Sequence, residues 1–255
     1  MLIDTHTHLY SDQFDEDRSQ IIQAAINNGV EKLLLPNIDL ESLDGMHQLV
    51  KDYPNVCYPM MGLHPCSVGV DYKEVLSKMK SLLDSNTYIA IGEIGMDLYW
   101  DKTLVNEQAD ALKIQIEWAK AMKLPIVIHV RDAFDEIFEV IDPLNDDSLT
   151  GIFHCFTGNL EQANKVLNYG GFKLGLGGVL TFKNSGLDKV VSEIDIKHLV
   201  LETDSPYLAP TPHRGKRNES SYVTLVADKL SDIKSISIDE VAKITSQNAS
   251  EIFNL

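Results

Sequence analysis

Short apolar runs rich in β-branched residues alternate with longer amphipathic stretches along this chain. Strands that alternate with helices form βαβ units around a parallel sheet, so this alternation predicts an α/β fold. Eight runs predict strands, which span Leu2–Thr7, Lys32–Asn37, Val56–Gly62, Tyr88–Ile94, Pro125–Val130, Gly151–Phe156, Gly171–Gly178 and His198–Glu202. Helices are predicted between them over Ser11–Asn28, Leu40–Tyr53, Tyr72–Ser85, Leu104–Met122, Asp132–Leu144, Asn159–Tyr169 and Ser185–Glu193.

The number of strand–helix units narrows the choice of fold. Eight units in 255 residues are typical of a TIM (β/α)₈ barrel, so we expect one barrel domain over residues 1–255. Two extra C-terminal helices are expected near Ser220–Ser231 and Ser237–Phe253. The alternative is an open doubly wound sheet. Its dinucleotide-binding version is weakened because no Gly-x-Gly-x-x-Gly follows the first predicted strand.

The charge balance restricts the partners that the surface can attract. The chain has 22 basic and 38 acidic residues and a formal net charge of −16. Such a surface repels phosphate backbones at long range, which argues against a non-specific nucleic-acid binder with a basic face. It leaves open a local site where bound divalent ions meet a phosphate.

Cysteine usage and the N-terminal residues predict the compartment. Three cysteines in a chain of this size do not make a disulfide framework. The first residues lack the basic and apolar regions of a secretory signal, and no apolar run reaches the roughly 20 residues that span a bilayer. We therefore expect a cytoplasmic protein with no membrane contact and no obligate protein partner.

Histidines gather where a barrel places its chemistry, at the C-terminal ends of the strands. Five of the eight histidines follow predicted strands, namely His6, His8, His64, His129 and His154. His6 and His8 are two positions apart, so both imidazoles point to one side of an extended chain and can share a cation. For His129 or His154 alone, a buried, hydrogen-bonded core histidine is the simpler interpretation. Two such residues on adjacent strands favour a second metal.

Four carboxylates accompany these histidines. Glu93 follows an apolar strand, where burial is costly unless the carboxylate is paired or bound to metal. A salt bridge would also explain Glu93, but the neighbouring imidazoles favour a metal-bridging carboxylate. Asp204 follows the eighth strand and can ligate a metal, accept a proton from water, or cap a turn. Asp4 is predicted to support one of the histidines, and Glu202 to support the site.

Two groups of cations are candidates for substrate contact. Arg131 lies two residues after His129, so its planar guanidinium would lean into the same mouth and grip a phosphate or carboxylate. An ion pair at the rim fits this spacing equally well. The basic segment Pro210–Asn218, which includes Arg214 and Arg217, follows the eighth strand and would overhang the mouth. A solvated loop is the usual explanation for such a charge run.

Several motifs in this order resemble the TatD-type family of metal-dependent deoxyribonucleases, within the wider amidohydrolase-like barrels. The resemblance covers essentially the whole chain. It rests on Ile3–His8, Gly62–Pro65, Gly92–Gly95, His129–Arg131, His154–Gly158, Glu202–Leu208 and Arg214–Asn218.

The resemblance implies a TIM barrel that holds two divalent cations, Mg²⁺ or Mn²⁺, with Zn²⁺ as a further option. It implies one cation at His6, His8, Glu93 and Asp204, and the other at Glu93, His129 and His154. Glu93 would then bridge the metals, and His64 and Arg131 would face the phosphate of a DNA substrate. Members of the family are described as nucleases, often exonucleases that act on DNA ends.

These observations lead to a main hypothesis and two alternatives. The main hypothesis is a 3′–5′ deoxyribonuclease in which Glu93 and Asp204 are catalytic and Asp204 orients or deprotonates the attacking water. The first alternative is a carbonyl hydrolase, such as an amidase, a lactonase or a D-aminoacyl-tRNA deacylase. A glutamate at the bridging position, where many amidohydrolases use a carboxylated lysine, favours the nuclease. A non-catalytic barrel is the second alternative, which the complete set of predicted ligands disfavours.

Overall fold

The computed structural model describes all residues from 1 to 255. Its eight strands are β1 Leu2–Asp4, β2 Val30–Leu35, β3 Cys57–Pro59, β4 Ile91–Asp97, β5 Ile126–Arg131, β6 Gly151–Phe153, β7 Phe172–Leu176 and β8 Leu199–Leu201. Its nine α-helices are α1 Arg18–Asn27, α2 Leu43–Asp52, α3 Tyr72–Leu83, α4 Val105–Met122, α5 Phe134–Ile141, α6 Leu160–Asn168, α7 Leu187–Glu193, α8 Val223–Lys234 and α9 Ile238–Phe253. None of these helices combines the length and apolarity needed to cross a membrane.

All neighbouring strands are parallel, and backbone hydrogen bonds join the two ladders into a ring. One ladder has the order β1-β2-β3 and the other β4-β5-β6-β7-β8. At one junction, His8 N donates to Ser205 O at 2.7 Å beyond the ends of β1 and β8. At the other, Met61 N donates to Ala90 O at 3.1 Å between β3 and β4. The predicted (β/α)₈ barrel with extra C-terminal helices is therefore confirmed.

Helix α9 closes the N-terminal end of the barrel, which we call the floor. Nine buried apolar residues fill the lower interior, and α9 contributes two of them, Ala249 and Phe253. The side-chain amide of Asn248 donates to Ile196 O at 2.8 Å and to Leu199 O at 2.7 Å, next to the start of β8. Because the floor is filled, the C-terminal end of the barrel, called the mouth, is left for a site.

Strand β4 begins and ends later than its sequence predicts. The predicted strand Tyr88–Ile94 is wrong at both ends, since the observed strand extends to Asp97 and pairs with Arg131 of β5. Gly95 makes this extension possible: it has φ +148°, and a Cβ atom there would lie 2.0 Å from His129 O. Only a residue without a side chain permits that approach. Glu93 consequently lies inside the strand, and Asp97 takes the position at its end.

The N-terminal region also differs from its prediction. β1 ends at Asp4, so His6 and His8 lie in the extended segment beyond it, where Thr7 N donates to Leu34 O at 3.1 Å. The predicted helix Ser11–Asn28 is divided into a 3-10 turn and α1. The Arg18 guanidinium donates to the carbonyls of Leu9, Tyr10 and Ser11, which lie outside any helix. The segment before α1 is held by these bonds instead of helical ones.

Candidate active site

The barrel brings all the predicted metal ligands to its mouth. They arrive from the extension of β1, from β4 and β5, and from the segments after β6 and β8. The ligands are His6, His8, Glu93, His129, His154 and Asp204. All except His129 are buried, although their side chains are polar or charged. Imidazoles and carboxylates buried together, without lysine or arginine among them, form a donor set suited to divalent cations.

The carboxylate of Glu93 lies at the centre of this cluster. Its Oε2 atom is 3.1 Å from His6 Nε2 and 3.6 Å from His8 Nε2. Its Oε1 atom is 2.9 Å from His129 Nδ1 and 2.7 Å from His154 Nε2. Each oxygen therefore faces a different pair of imidazoles. This is the arrangement of a carboxylate shared between two cation positions.

The donor atoms on the Oε2 side converge on one point. His6 Nε2 and His8 Nε2 are 3.2 Å apart, and Asp204 Oδ1 lies 3.7 and 3.5 Å from them. Ligands that share one cation at bonds of about 2.0–2.2 Å are separated by roughly these distances. His6, His8, Glu93 and Asp204 can therefore hold a single ion.

The Oε1 side gathers three imidazoles instead of two. His129 Nδ1 and His154 Nε2 are 3.3 Å apart around Glu93 Oε1. His64 Nε2 also lies 3.4 Å from this oxygen, although the sequence predicts a substrate contact for His64. His64 is therefore placed to contact a second cation or a ligand bound there.

Hydrogen bonds on the far side of two imidazoles reveal which ring nitrogens carry lone pairs. Tyr10 Oη donates to Pro36 O at 2.5 Å, so His8 Nδ1, 2.8 Å from the same oxygen, is the donor to Tyr10. His8 Nε2 is then an unprotonated acceptor in the neutral ring. It faces other acceptors, Glu93 Oε2 and Asp204 Oδ1, a contact that a bound cation makes favourable.

Asp97 has the same effect on His129. Burial opposes its charge, but the hydrogen bond with His129 and the backbone donors lower the pKa of Asp97 to about 2. The ionised Oδ2 can only accept, so His129 Nε2 donates to it at 3.0 Å. Burial opposes protonation of His129, but its hydrogen bonds with Asp97 and Glu93 raise its pKa. In the neutral, metal-ligating form of the ring, Nδ1 presents its lone pair beside Glu93 Oε1. No sequence pattern reveals the roles of Tyr10 and Asp97, because these roles depend on Tyr10 meeting Pro36 and Asp97 meeting His129 in the folded barrel.

The electrostatics of the cluster favour anionic carboxylates. Burial alone would raise the pKa of Glu93, but the imidazoles of His154, His6 and His64 hold it well below its usual range. Burial lowers the pKa of His6, which favours the neutral, ligating form of the ring. The pKa of His154 is raised well above its usual value, against burial, by the Glu93 and Glu202 carboxylates. The Oε1 side thus attracts positive charge, which a cation supplies.

Two further carboxylates hold the ligands from behind. Glu202 Oε1 lies 3.4 Å from His154 Nδ1 and accepts a short hydrogen bond from Cys155 N. Asp4, which is predicted to support one of the histidines, accepts a hydrogen bond from the backbone N of His6 at 3.4 Å and forms no hydrogen bond with an imidazole. It accepts from Thr203 N at 2.9 Å and from Thr203 Oγ1 at 2.6 Å, and so fixes the segment that carries Asp204.

The three predicted substrate-binding arginines have different surroundings. Arg131 is exposed and forms no ion pair; its guanidinium lies 3.7 Å from the centre of the Tyr99 ring. Arg214 is also exposed and lies 4.0 Å from the Phe182 ring. Arg217 instead donates to both carboxylate oxygens of Asp17, at 2.9 and 2.5 Å. The expectation that Arg217 faces substrate is therefore corrected: its guanidinium is engaged in a structural ion pair.

Comparison with known proteins agrees with this geometry. Residues 3–254 match the family model described as TatD related DNase. The chain is 37% identical to the metal-dependent hydrolase YabD of Bacillus subtilis (strain 168), over 100% of both chains. It is 28% identical to the 3′-5′ ssDNA/RNA exonuclease TatD of Yersinia pseudotuberculosis, again over 100% of both. The crystal structure of YJJV, a TatD homolog from Escherichia coli K12, matches with a TM-score of 0.93 and 28% identity, covering 100% of this chain and 98% of that one.

Proposed function

This chain belongs to the family of TatD-related DNases and is a metal-dependent hydrolase, and from that premise we propose that it removes nucleotides from the 3′ ends of DNA. One observation carries the proposal. The two oxygens of Glu93 face separate sets of imidazoles, with Asp204 completing the first set. A carboxylate in that position suits two-cation hydrolysis of phosphodiesters.

The donor set indicates where the cations would bind. His6, His8, Glu93 and Asp204 would hold one, and the other would lie between Glu93, His129 and His154. Bound there, divalent ions lower the pKa of water and neutralise charge that develops on the phosphoryl group. Mixed imidazole and carboxylate ligands accept Mg²⁺, Mn²⁺ and Zn²⁺, and the choice among them depends on availability.

Asp204 is the group best placed to handle the proton of the attacking water. Its side chain is the more accessible of the two ligating carboxylates, whereas both oxygens of Glu93 are enclosed by imidazoles. Burial opposes its charge, but the adjacent imidazoles of His8, His154 and His6 lower the pKa of Asp204. It is therefore ionised and able to orient the water and accept its proton.

Arg131 and His64 are the side chains positioned to bind the phosphate. Arg131 has no carboxylate partner and presents a planar fork that fits non-bridging phosphate oxygens. His64 Nε2 lies on the Oε1 side of Glu93 and is partly accessible. Arg214, exposed at the lip, would add a weaker and more distant attraction. These local cations offset the net charge of −16 only at the mouth.

The name of one relative supports the proposed direction of digestion and the proposed polymer substrate. The Yersinia relative is named a 3′-5′ exonuclease of single-stranded DNA and RNA, and this supports an exonuclease that begins at 3′ ends. The carbonyl-hydrolase alternative uses the same cations to polarise a carbonyl oxygen. A carbonyl hydrolase would cleave esters or amides instead of DNA, so one panel of substrates distinguishes it from a nuclease.

The test is hydrolysis of DNA oligonucleotides labelled at either end, using protein stripped of metal and then supplied with Mg²⁺, Mn²⁺ or Zn²⁺. We expect metal-dependent release of mononucleotides from the 3′ end, and no cleavage in chelator. Glu93→Gln should be inactive, and Glu240→Gln, at an exposed position on α9, serves as the matched control. Cleavage in chelator would contradict the proposal, and hydrolysis of lactones or amides without DNA cleavage would favour the alternative.

A further inference from the structure

Exposed aromatic side chains occur only around the mouth. Among the large hydrophobic side chains that are exposed, three are aromatic: Tyr99 at 53%, Trp100 at 71% and Tyr207 at 50%. The first two follow β4, and Tyr207 follows β8. Aromatic rings left in water at a site contribute little to folding, but they offer flat surfaces to a ligand.

Asp97 fixes Tyr99 and Trp100 relative to the candidate metal site. Its Oδ1 atom accepts hydrogen bonds from Tyr99 N at 3.0 Å and Trp100 N at 3.4 Å. Its Oδ2 atom accepts from His129 at 3.0 Å. One carboxylate therefore holds both the backbone that carries the exposed rings and an imidazole of the candidate metal site. The two rings meet edge to face, with centroids 4.9 Å apart.

Arg131 completes this surface, which we call the aromatic platform: Tyr99, Trp100 and Arg131. The guanidinium lies 3.7 Å from the Tyr99 ring centre and 5.3 Å from that of Trp100. It forms no ion pair, although the chain has 38 acidic residues. The platform thus combines π faces with an unneutralised cation that has free hydrogen-bond donors.

A second aromatic surface lies on the far side of the mouth. The Tyr207 ring centroid is 5.9 Å from that of His8, next to the Oε2 side of Glu93. The junction of β8 with β1 and the pair β4–β5 lie across the ring from each other in an eight-stranded barrel. A polymer that lies across the mouth, with a phosphate at Glu93, therefore passes an aromatic surface on each side.

We propose that the aromatic platform stacks an unpaired nucleobase beside the scissile phosphate and that Tyr207 stacks a base on the other side. The inference rests on the proposed function. Nucleobases in a duplex are already stacked and paired, so their faces are not available to these rings. Stacking accepts any base, so the contact does not depend on sequence.

Charge supports stacking as the source of affinity. Proteins that bind nucleic acid through a basic face gain affinity from the release of counterions, and they lose it steeply as salt rises. This chain has a net charge of −16, and its lip cation Arg217 is paired with Asp17. Base stacking does not depend on those counterions, so the part of the affinity that the aromatic platform contributes should change little with added salt.

The first experiment uses the fluorescence of Trp100. The chain has two tryptophans, and the other, Trp118, is buried in α4, so only Trp100 can respond to a stacked base. The probe is a short oligothymidylate with phosphorothioate linkages, which resist hydrolysis, added to the magnesium-loaded protein. We expect quenching with this probe and none with an abasic oligomer of equal charge. Trp100→Phe should abolish the quenching and keep the binding.

The second experiment separates the platform from the general ability to cleave. Trp100→Ala should raise KM for oligothymidylate by about tenfold and leave kcat within about twofold, since one stacked base contributes on this scale. Trp100→Phe should restore most of the KM. The control is Ile238→Ala, which removes an exposed apolar side chain, 39% accessible, at the start of α9.

The outcomes distinguish the two proposals. If oligothymidylate and the abasic oligomer bind equally, or if Trp100→Ala weakens both to the same degree, the platform is overturned even when cleavage continues. Preference for a duplex over a single strand would overturn it as well. If oligothymidylate quenches Trp100 but no phosphodiester is ever cleaved with any divalent ion, the platform stands and the proposed function fails.

Discussion

The mouth and the floor of the barrel are built from opposite kinds of side chain. The mouth buries carboxylates and imidazoles, including Glu93, Asp97 and His154, in contact with one another. The floor buries apolar side chains from the strands against Ala249 and Phe253 of α9. Buried charges are costly unless they are paired or bound, whereas apolar burial stabilises directly. The mouth therefore depends on stability that the floor and the outer core supply.

This contrast predicts opposite responses to substitution. A change at the mouth should reduce the rate of the chemical step or the metal affinity with little effect on stability. A change at the floor should reduce stability with little effect on the chemistry.

The largest expected effect is that of Glu93→Gln, which removes the charge shared by both donor sets. We expect kcat/KM to fall by roughly a thousandfold or more, with the thermal midpoint of the metal-stripped protein nearly unchanged. If the variant kept more than a tenth of the wild-type activity, the claim that the chemistry at the mouth depends on Glu93 would be contradicted.

The second effect belongs to the floor. Phe253→Ala should lower the free energy of unfolding by about 3–5 kcal/mol, because it leaves a cavity under the barrel. Below the thermal midpoint, kcat/KM should match that of the wild type. Denaturant unfolding measures the first quantity and oligonucleotide hydrolysis the second. A large loss of activity in fully folded Phe253→Ala would show that the two ends are coupled.

An intermediate effect is expected for Asp97→Asn. The amide can no longer accept from His129 as a charged group, so the ring loses its fixed tautomer and orientation. Metal affinity should fall by about 10- to 100-fold, and excess metal should restore most of the activity. Titration calorimetry gives the affinity. An unchanged metal affinity would show that Asp97 does not support the metal site.

The smallest effect is expected for Asp17→Asn at the rim, where Arg217 is bound. The hydrogen bond from Arg217 lowers the pKa of Asp17 in the folded protein. A carboxyl group with a lowered pKa stabilises the fold at pH values above the ordinary pKa of aspartate. This stabilisation is lost as the pH falls through the lowered pKa. The variant should therefore melt slightly below the wild type at neutral pH and equal it in acid. A clear drop in the rate of hydrolysis with unchanged stability would instead indicate that Arg217 contacts the substrate.

The sequence predicted the barrel well because each of its strands is a short apolar run, and the apolar periodicity is a local property. It also predicted which side chains meet at the mouth, since the candidate ligands His6, His129 and Asp204 each follow such a run. It could not place the end of β4, which depends on Gly95 lying against His129 of a neighbouring strand. Long-range partners were equally hidden: Arg217 meets Asp17 across 200 positions of sequence.

The central claim is that Glu93 lies between two cation positions. The most direct test is a crystal grown with Mn²⁺, with anomalous diffraction recorded at the manganese edge. We predict two peaks at the mouth, one against Glu93 Oε2 with His6, His8 and Asp204, and one against Glu93 Oε1 with His129 and His154. A single peak, or peaks that do not contact Glu93, would contradict the account.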